Sequence, residues 1–234
     1  MSLCPPGHLS PGRRIYAVGD VHGCADRLRA LHALIAADLR SSPAPDTTLV
    51  HLGDTIDRGP DSAGVLRLAG RPAVPVDRVV NLAGNHEAML LDALAGHPDA
   101  ASLWLDNGGD ATLDSWGIPR TAAHDTWQGR IPEHDLAFLH GLAARHARDG
   151  YLFVHAGVRP GVPLDQQSDF DLQWMREPFL SWPDPFGVVV VHGHTMVRKP
   201  AIRANRIGID TGAVRGGPLT CAVLQDGTLR FLQS

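Results

Sequence analysis

Ile15-Tyr16-Ala17-Val18-Gly19-Asp20-Val21-His22-Gly23 is an apolar run that breaks, at a glycine, into an aspartate and a histidine. The run has the character of a buried strand, and a glycine without side-chain bulk lets the following turn bring polar groups close to a ligand. The pattern recurs along the chain. Residues 48–52 run into Gly53-Asp54, residues 78–82 into Gly84-Asn85-His86-Glu87, and residues 151–154 into His155-Ala156-Gly157. Residues 188–191 run into His192-Gly193-His194-Thr195. One such break is ordinary, because an Asp after a strand is usually a turn or cap residue. Five of them point to a site assembled from strand ends, where open α/β sheets bind ligands.

Around these breaks the chain reads as α/β. Helical spacing over residues 26–40 places Leu28, Leu31, Ile35 and Leu39 on one face, and shorter helices are expected over 62–68, 86–94 and 133–139. Further strands are expected at 206–209, 219–224 and 228–232, in succession without helices between them, so the sheet should turn antiparallel toward the end. Residues 1–12 read as a flexible lead-in and 13–234 as one domain, with a helical insertion at about 97–148 that holds most of the tryptophans.

Composition narrows the function. With 44% hydrophobic and 20% charged residues and a net charge of −4, the chain has a sizeable core and no basic field, which argues against nucleic acid or an anionic membrane as partner. Cys4, Cys24 and Cys221 are too few and too far apart for a disulfide framework or a thiolate zinc site. No secretory core or membrane-length apolar run is present, so the cytoplasm is the expected location.

Asp20, His22, Asp54, Asn85, His155 and His194 make a mixed oxygen and nitrogen set without thiolate. Such a set suits Mn²⁺, Fe²⁺ or Zn²⁺. Six ligands exceed what one such ion usually takes from a protein, so two ions sharing a carboxylate is the economical reading. His192 lies two residues before His194, and in a strand both would face the same side, so His192 could approach the metals as well or stand behind the ligands.

The motifs Gly19-Asp20-Val21-His22-Gly23, Gly53-Asp54-Thr55-Ile56-Asp57-Arg58-Gly59 and Gly84-Asn85-His86-Glu87 resemble the three signatures of the phosphoprotein phosphatase (serine/threonine phosphatase) family of metallophosphoesterases. Val154-His155-Ala156-Gly157, Gly193-His194-Thr195, Trp104–Gly109, Trp174–Glu177 and residues 209–214 are similar to its compact bacterial and phage branch, which includes the lambda phage protein phosphatase. The resemblance implies an αββα sandwich of two mixed β-sheets flanked by helices. It implies two divalent ions, Mn²⁺ favoured over Fe²⁺ or Zn²⁺, with Asp20, His22 and Asp54 on the first, Asp54 bridging, and Asn85, His155 and His194 completing the second. It makes His86 the catalytic acid, Asp57 the carboxylate that orients it, and Arg58 and Arg176 the phosphate-binding arginines.

Those roles are chemically coherent. Water between two cations becomes hydroxide near neutral pH, a protonated imidazole supplies the proton an alkoxide leaving group needs, and arginine forks match phosphoryl oxygens. The expected activity is a phosphomonoesterase on phosphorylated protein or peptide, with small phosphoesters or nucleotides as further substrates. A dinucleoside tetraphosphate hydrolase is the alternative; that group typically carries Asp where this chain has Glu87. A binding module without catalysis is remote, since every position of the set is filled. No cysteine has an Arg six residues on, and no Gly-rich Lys-Ser/Thr loop occurs, which excludes thiolate phosphatase and P-loop chemistry. Asp169-Phe170-Asp171 is expected to be a loop or helix cap.

Overall fold

The structure, a computed structural model, describes residues 6–234; Cys4 and the start of the lead-in lie outside them. The chain opens with β1 (Arg13–Val18), α1 (Ala25–Ser41), β2 (Asp46–His51), α2 (Ser62–Gly70), β3 (Arg78–Asn81) and α3 (Asn85–Leu94). It continues through α4 (Ala100–Trp104), α5 (Asp110–Ser115) and α6 (Glu133–His140), with a π-turn at Leu105–Gly109 joining α4 to α5. The second half comprises β4 (Arg145–Arg148), β5 (Tyr151–Val154), α7 (Asp169–Trp174), β6 (Val189–His192) and β7 (Ala201–Ile202). It ends with β8 (Arg206–Gly208), β9 (Thr220–Gln225) and β10 (Thr228–Gln233).

Two five-stranded mixed sheets result, in the orders β10-β9-β1-β2-β3 and β4-β5-β6-β8-β7. In the first, β1, β2 and β3 are parallel and the late strands β9 and β10 return antiparallel beside β1. In the second, β5, β6 and β8 are parallel and the edges β4 and β7 antiparallel. Parallel strands put their carboxyl ends on one edge, so the breaks after β1, β2 and β3 share one side of their sheet, as do those after β5 and β6.

Strand alternation builds the layers. In β1, Ile15 and Ala17 face the core between the sheets, against Phe153, Val191 and Ile207. Tyr16 and Val18 face the other way, onto Leu28, Leu31 and Ile35 of α1. Leu172 of α7 and Phe179 cover Val154 and Val190 on the far side of the second sheet. The fold is thus two mixed sheets packed face to face between helices, as the family resemblance implies.

The expected strands and helices form within a residue or two of their expected bounds. Two strands were not legible. β4 is Arg-His-Ala-Arg, an edge strand with no apolar run inside the stretch read as a helical insertion, and β7 is two residues long. Edge strands tolerate charge because one side stays in water, which removes the apolar signature. Asp169 opens α7, capped by the Ser168 hydroxyl, which accepts the Asp171 N–H at 3.1 Å. In the lead-in, Leu9 is buried and the Ser10 N–H donates to the Asp149 carboxylate at 2.8 Å. Among the described residues no helix is long and apolar enough to cross a membrane.

Candidate metal centre

The loops after β1 and β2 are tied to each other at Asp54. Its carbonyl accepts the N–H groups of Val21 and His22 at 3.1 and 2.8 Å, and its Oδ1 accepts the His86 N–H at 3.1 Å. Glu87 ties in the third loop: its carboxylate accepts the N–H groups of Asp54 (3.0 Å), Thr55 (2.6 Å) and Gly84 (2.8 Å) and the Thr55 hydroxyl (2.7 Å). His22, Asp54, Asp57, Arg58 and His194 all have positive φ, between 45° and 72°. Non-glycine residues there cost strain and persist only where the surroundings over-determine them, which is typical of functional sites.

Hydrogen bonds to carbonyls fix which histidine nitrogens face the centre. His22 Nδ1 is 2.9 Å from the Ile56 carbonyl and His155 Nδ1 2.9 Å from that of Leu52. A carbonyl only accepts, so each Nδ1 carries a proton and each Nε2 faces inward, where in the neutral ring its lone pair is the one a metal would take. The two Nε2 atoms meet opposite oxygens of Asp54: His22 lies 3.4 Å from Oδ2 and His155 3.3 Å from Oδ1. Asn85 Oδ1 stands on the His155 side, 3.0 Å from its Nε2 and 2.9 Å from His194 Nδ1. Two triads of donor atoms therefore converge, His22–Asp54–His86 and Asp54–His155–His194, each within 4.8 Å. Asp20 lies beside rather than within them, its carboxylate accepting the His194 N–H at 3.0 and 3.1 Å.

Electrostatics make the same point. Burial and the neighbouring Asp210 hold the Asp20 carboxyl well above its usual range. Burial opposes charge on His155, yet the carboxylates of Asp54, Asp20 and Glu87 prevail and raise it to about 10. Asp54, although buried, is held well below its usual range by His155, His86 and His22. Where carboxylates do not dominate, burial wins, and His22 and His194 fall to about 3. The donor set is oxygen and nitrogen, its lone pairs are aimed inward, and its carboxylates call for positive charge. These residues fit divalent cations.

His86 and Asp57 form a separate unit beside the first triad. His86 Nδ1 lies 2.6 Å from Asp57 Oδ2, while its buried Nε2 has no hydrogen-bond partner and sits 4.0 Å from Asp54 Oδ2. Asp57 also accepts the Trp104 indole N–H at 2.9 Å and the Thr112 hydroxyl at 2.6 Å. Burial raises the Asp57 carboxyl, against these hydrogen bonds. Arg58 and Arg176 are exposed above the centre, with Arg58 Nη1 2.7 Å from His22 Nε2 and Arg176 Nε 3.2 Å from His194 Nε2. Both line an open cavity of about 340 Å³.

The sequence profile of the calcineurin-like phosphoesterases matches residues 13–221. This chain belongs to that family. It is 36% identical over 224 residues to a serine/threonine-protein phosphatase 1 of Salmonella typhimurium, covering 91% of this chain and 93% of the relative. It is 37% identical over 176 residues to a symmetrical bis(5'-nucleosyl)-tetraphosphatase of an Acidovorax species, covering 72% of this chain and 48% of that protein. A solved structure provisionally assigned as a diadenosine tetraphosphatase matches with a TM-score of 0.67 at 25% identity, covering 97% of this chain and 96% of the other.

In this metallophosphoesterase His192, whose place strand alternation alone leaves open, does not join the donor triads. His194 has φ 58°, so the strand's two-residue alternation ends before it. His192 turns away, packing edge-on against Phe179 at 5.1 Å with Nε2 3.4 Å from Arg206 Nη1. Glu87, in the first turn of α3, holds the loops after β2 and β3 together. Thr112 and Asp210 were missed. Thr112 is a single hydroxyl on a helix with no sequence signal, whereas Asp210 follows strand β8 across Ile209, inside the stretch 209–214 that resembles the family.

Proposed function

We propose that this metallophosphoesterase is a serine/threonine-type protein phosphatase that holds two divalent cations, with Mn²⁺ favoured. The observation that supports the reading is Asp54, whose Oδ2 faces His22 and whose Oδ1 faces His155, so that one carboxylate could serve two cations. Asp20, His22 and Asp54 would hold one, and Asp54, Asn85, His155 and His194 the other. When bound, the cations supply Lewis acidity, making water a nucleophile near neutral pH and clamping the attacking and leaving oxygens.

The chain's own residues do the rest. Arg58 and Arg176 bind the phosphoryl oxygens and neutralise charge as it redistributes. His86 donates a proton from Nε2 to the departing alkoxide, and Asp57 holds the imidazole in place through Nδ1. Trp104 and Thr112 fix Asp57 in turn. The substrate class is supported by the Salmonella relative, which aligns over nearly the whole of both chains. A second reading, hydrolysis of dinucleoside tetraphosphates, is supported by the Acidovorax relative and the provisionally assigned structure.

Side-by-side turnover with Mn²⁺ on phosphoserine, phosphothreonine and phosphotyrosine peptides and diadenosine tetraphosphate tests the assignment. The peptides carrying phosphoserine or phosphothreonine should give the highest kcat/KM; preference for the dinucleotide would transfer the chain to the second reading. Chelation should abolish turnover and Mn²⁺ restore it. Full activity in protein shown metal-free by elemental analysis would end the two-cation reading.

A further inference from the structure

A third arginine stands at the same cavity. Arg215 lines it together with Met196, Asp210 and Val214, as Arg58 and Arg176 do. It lies on a short turn, Ala213–Arg215, between Gly212 at φ 73° and Gly216 at φ 89°. The turn is pinned from several sides. The Arg215 and Gly217 N–H groups donate to the Gly212 carbonyl at 2.9 and 3.0 Å, and the Thr211 hydroxyl donates to the Pro218 carbonyl at 2.6 Å. The Arg215 side chain is exposed, and among the described residues no carboxylate pairs with it.

Arg58 and Arg176 already lie on the imidazoles at the centre and suffice for one phosphoryl group. A third guanidinium on a fixed turn at the cavity's edge is therefore available to a different anion. We propose that Arg215 forms a second anion subsite, selecting phosphoesters that carry another negative group next to the phosphoryl being removed. The inference rests on the phosphoesterase reading. The shared chemistry is a second anion within reach, from an acidic side chain beside a phosphorylated residue or from the next phosphate of a nucleotide.

Calorimetry on Mn²⁺-saturated protein with inorganic phosphate and pyrophosphate decides the subsite without turnover. Wild type should prefer pyrophosphate, and Arg215→Ala should shrink that preference by roughly fivefold, the upper end for an exposed ion pair. Arg215→Lys, which keeps the charge, should restore part of it. Kinetics then separate the sources through two pairs: phosphoserine peptides with Asp or Asn beside the phosphoresidue, and ADP or AMP. Arg215→Ala should raise KM for the doubly anionic member of one pair by a similar factor, with kcat little changed. A pyrophosphate preference that survives Arg215→Ala, or equal losses on both members of both pairs, overturns the subsite. Failure of wild type to hydrolyse even p-nitrophenyl phosphate is a separate result that would overturn the phosphoesterase reading instead.

Discussion

Along β2 and its following loop, two clusters of buried histidines begin within three residues of each other, and they differ in what accompanies them. His51, near the end of the strand, pairs with His32 of α1 at 3.1 Å between Nε2 atoms and with Asn81 Oδ1 at 2.7 Å. No carboxylate enters that set. An amide oxygen accepts from His51 Nδ1, His51 Nε2 accepts from His32, and burial keeps the rings neutral, at about 4 and about 3. Around Asp54 the same residue type is buried with Asp20, Asp54, Glu87 and Asp210, and neutral imidazoles cannot balance that charge. Buried histidines alone form a hydrogen-bonded core pair; buried histidines among carboxylates make a place for cations.

The strongest way to break this comparison is to remove the carboxylate at its centre. Asp54→Asn should lose metal by elemental analysis and drop to the activity of the chelated protein on every substrate, the largest loss of any change considered. If the variant binds metal and turns over normally, the carboxylate is not what distinguishes the two clusters.

His86→Asn comes next. His86 belongs to the first donor triad yet is bonded to Asp57, so it is either a ligand or an acid, and metal content tells them apart. As the acid, its loss should leave metal near the parent level and lower kcat by roughly 10²–10⁴ on phosphoserine. On p-nitrophenyl phosphate, whose leaving group departs without a proton, the loss should be smaller. Equal losses on alkyl and aryl esters with metal retained would remove His86 from the acid role.

Trp104→Phe and Thr112→Val sharpen the same point at lower cost. Each takes one donor from Asp57 without touching the triads. Activity on phosphoserine should fall by roughly tenfold, the lower end for outer partners of a site, with metal content unchanged. A loss confined to metal binding would show that these residues support the cation loops and not the acid.

Most of this was legible because chemistry and topology coincide in the sequence: a strand, a glycine, then a polar residue. That signal gave Asp20, His22, Asp54, Asn85, His155 and His194 and the parallel strands that bring them together, but not Asp210. It failed where a residue acts by position alone. Trp104 sits in a recognisable motif, but its bond to Asp57 depends on the π-turn and on the approach of Gly108, whose carbonyl accepts the Arg58 N–H at 3.0 Å. Period-two reasoning left His192 open because it assumes the strand continues, and the left-handed His194 ends it. Edge strands β4 and β7 failed because they have little apolar surface to bury.

The smallest expected effect lies in the carboxylate-free cluster and is seen in stability. His32 titrates near 6.5 when unfolded and near 3 when folded, so between those values the unfolded chain binds more protons. Stability contributed by the neutral ring is therefore complete above about pH 6.5 and falls as pH drops toward the folded value. His32→Leu removes one such group, along with a buried Nδ1 that has no hydrogen-bond partner. It leaves His51 Nε2 without its donor, so stability at pH 7 should change little in either direction. Between pH 7 and pH 5, the unfolding free energy from urea titrations should fall less than in wild type, by roughly 1–2 kcal/mol, the order expected for one shifted group over that window. The His51 ring, with the same sign, keeps part of the slope. Turnover at pH 7 should stay within about twofold of wild type, since His32 touches neither triad nor cavity. An unchanged acid slope would mean that His32 is not held neutral by burial. Loss of metal on His32→Leu would mean that the two clusters act as one, and the contrast drawn between them would fail.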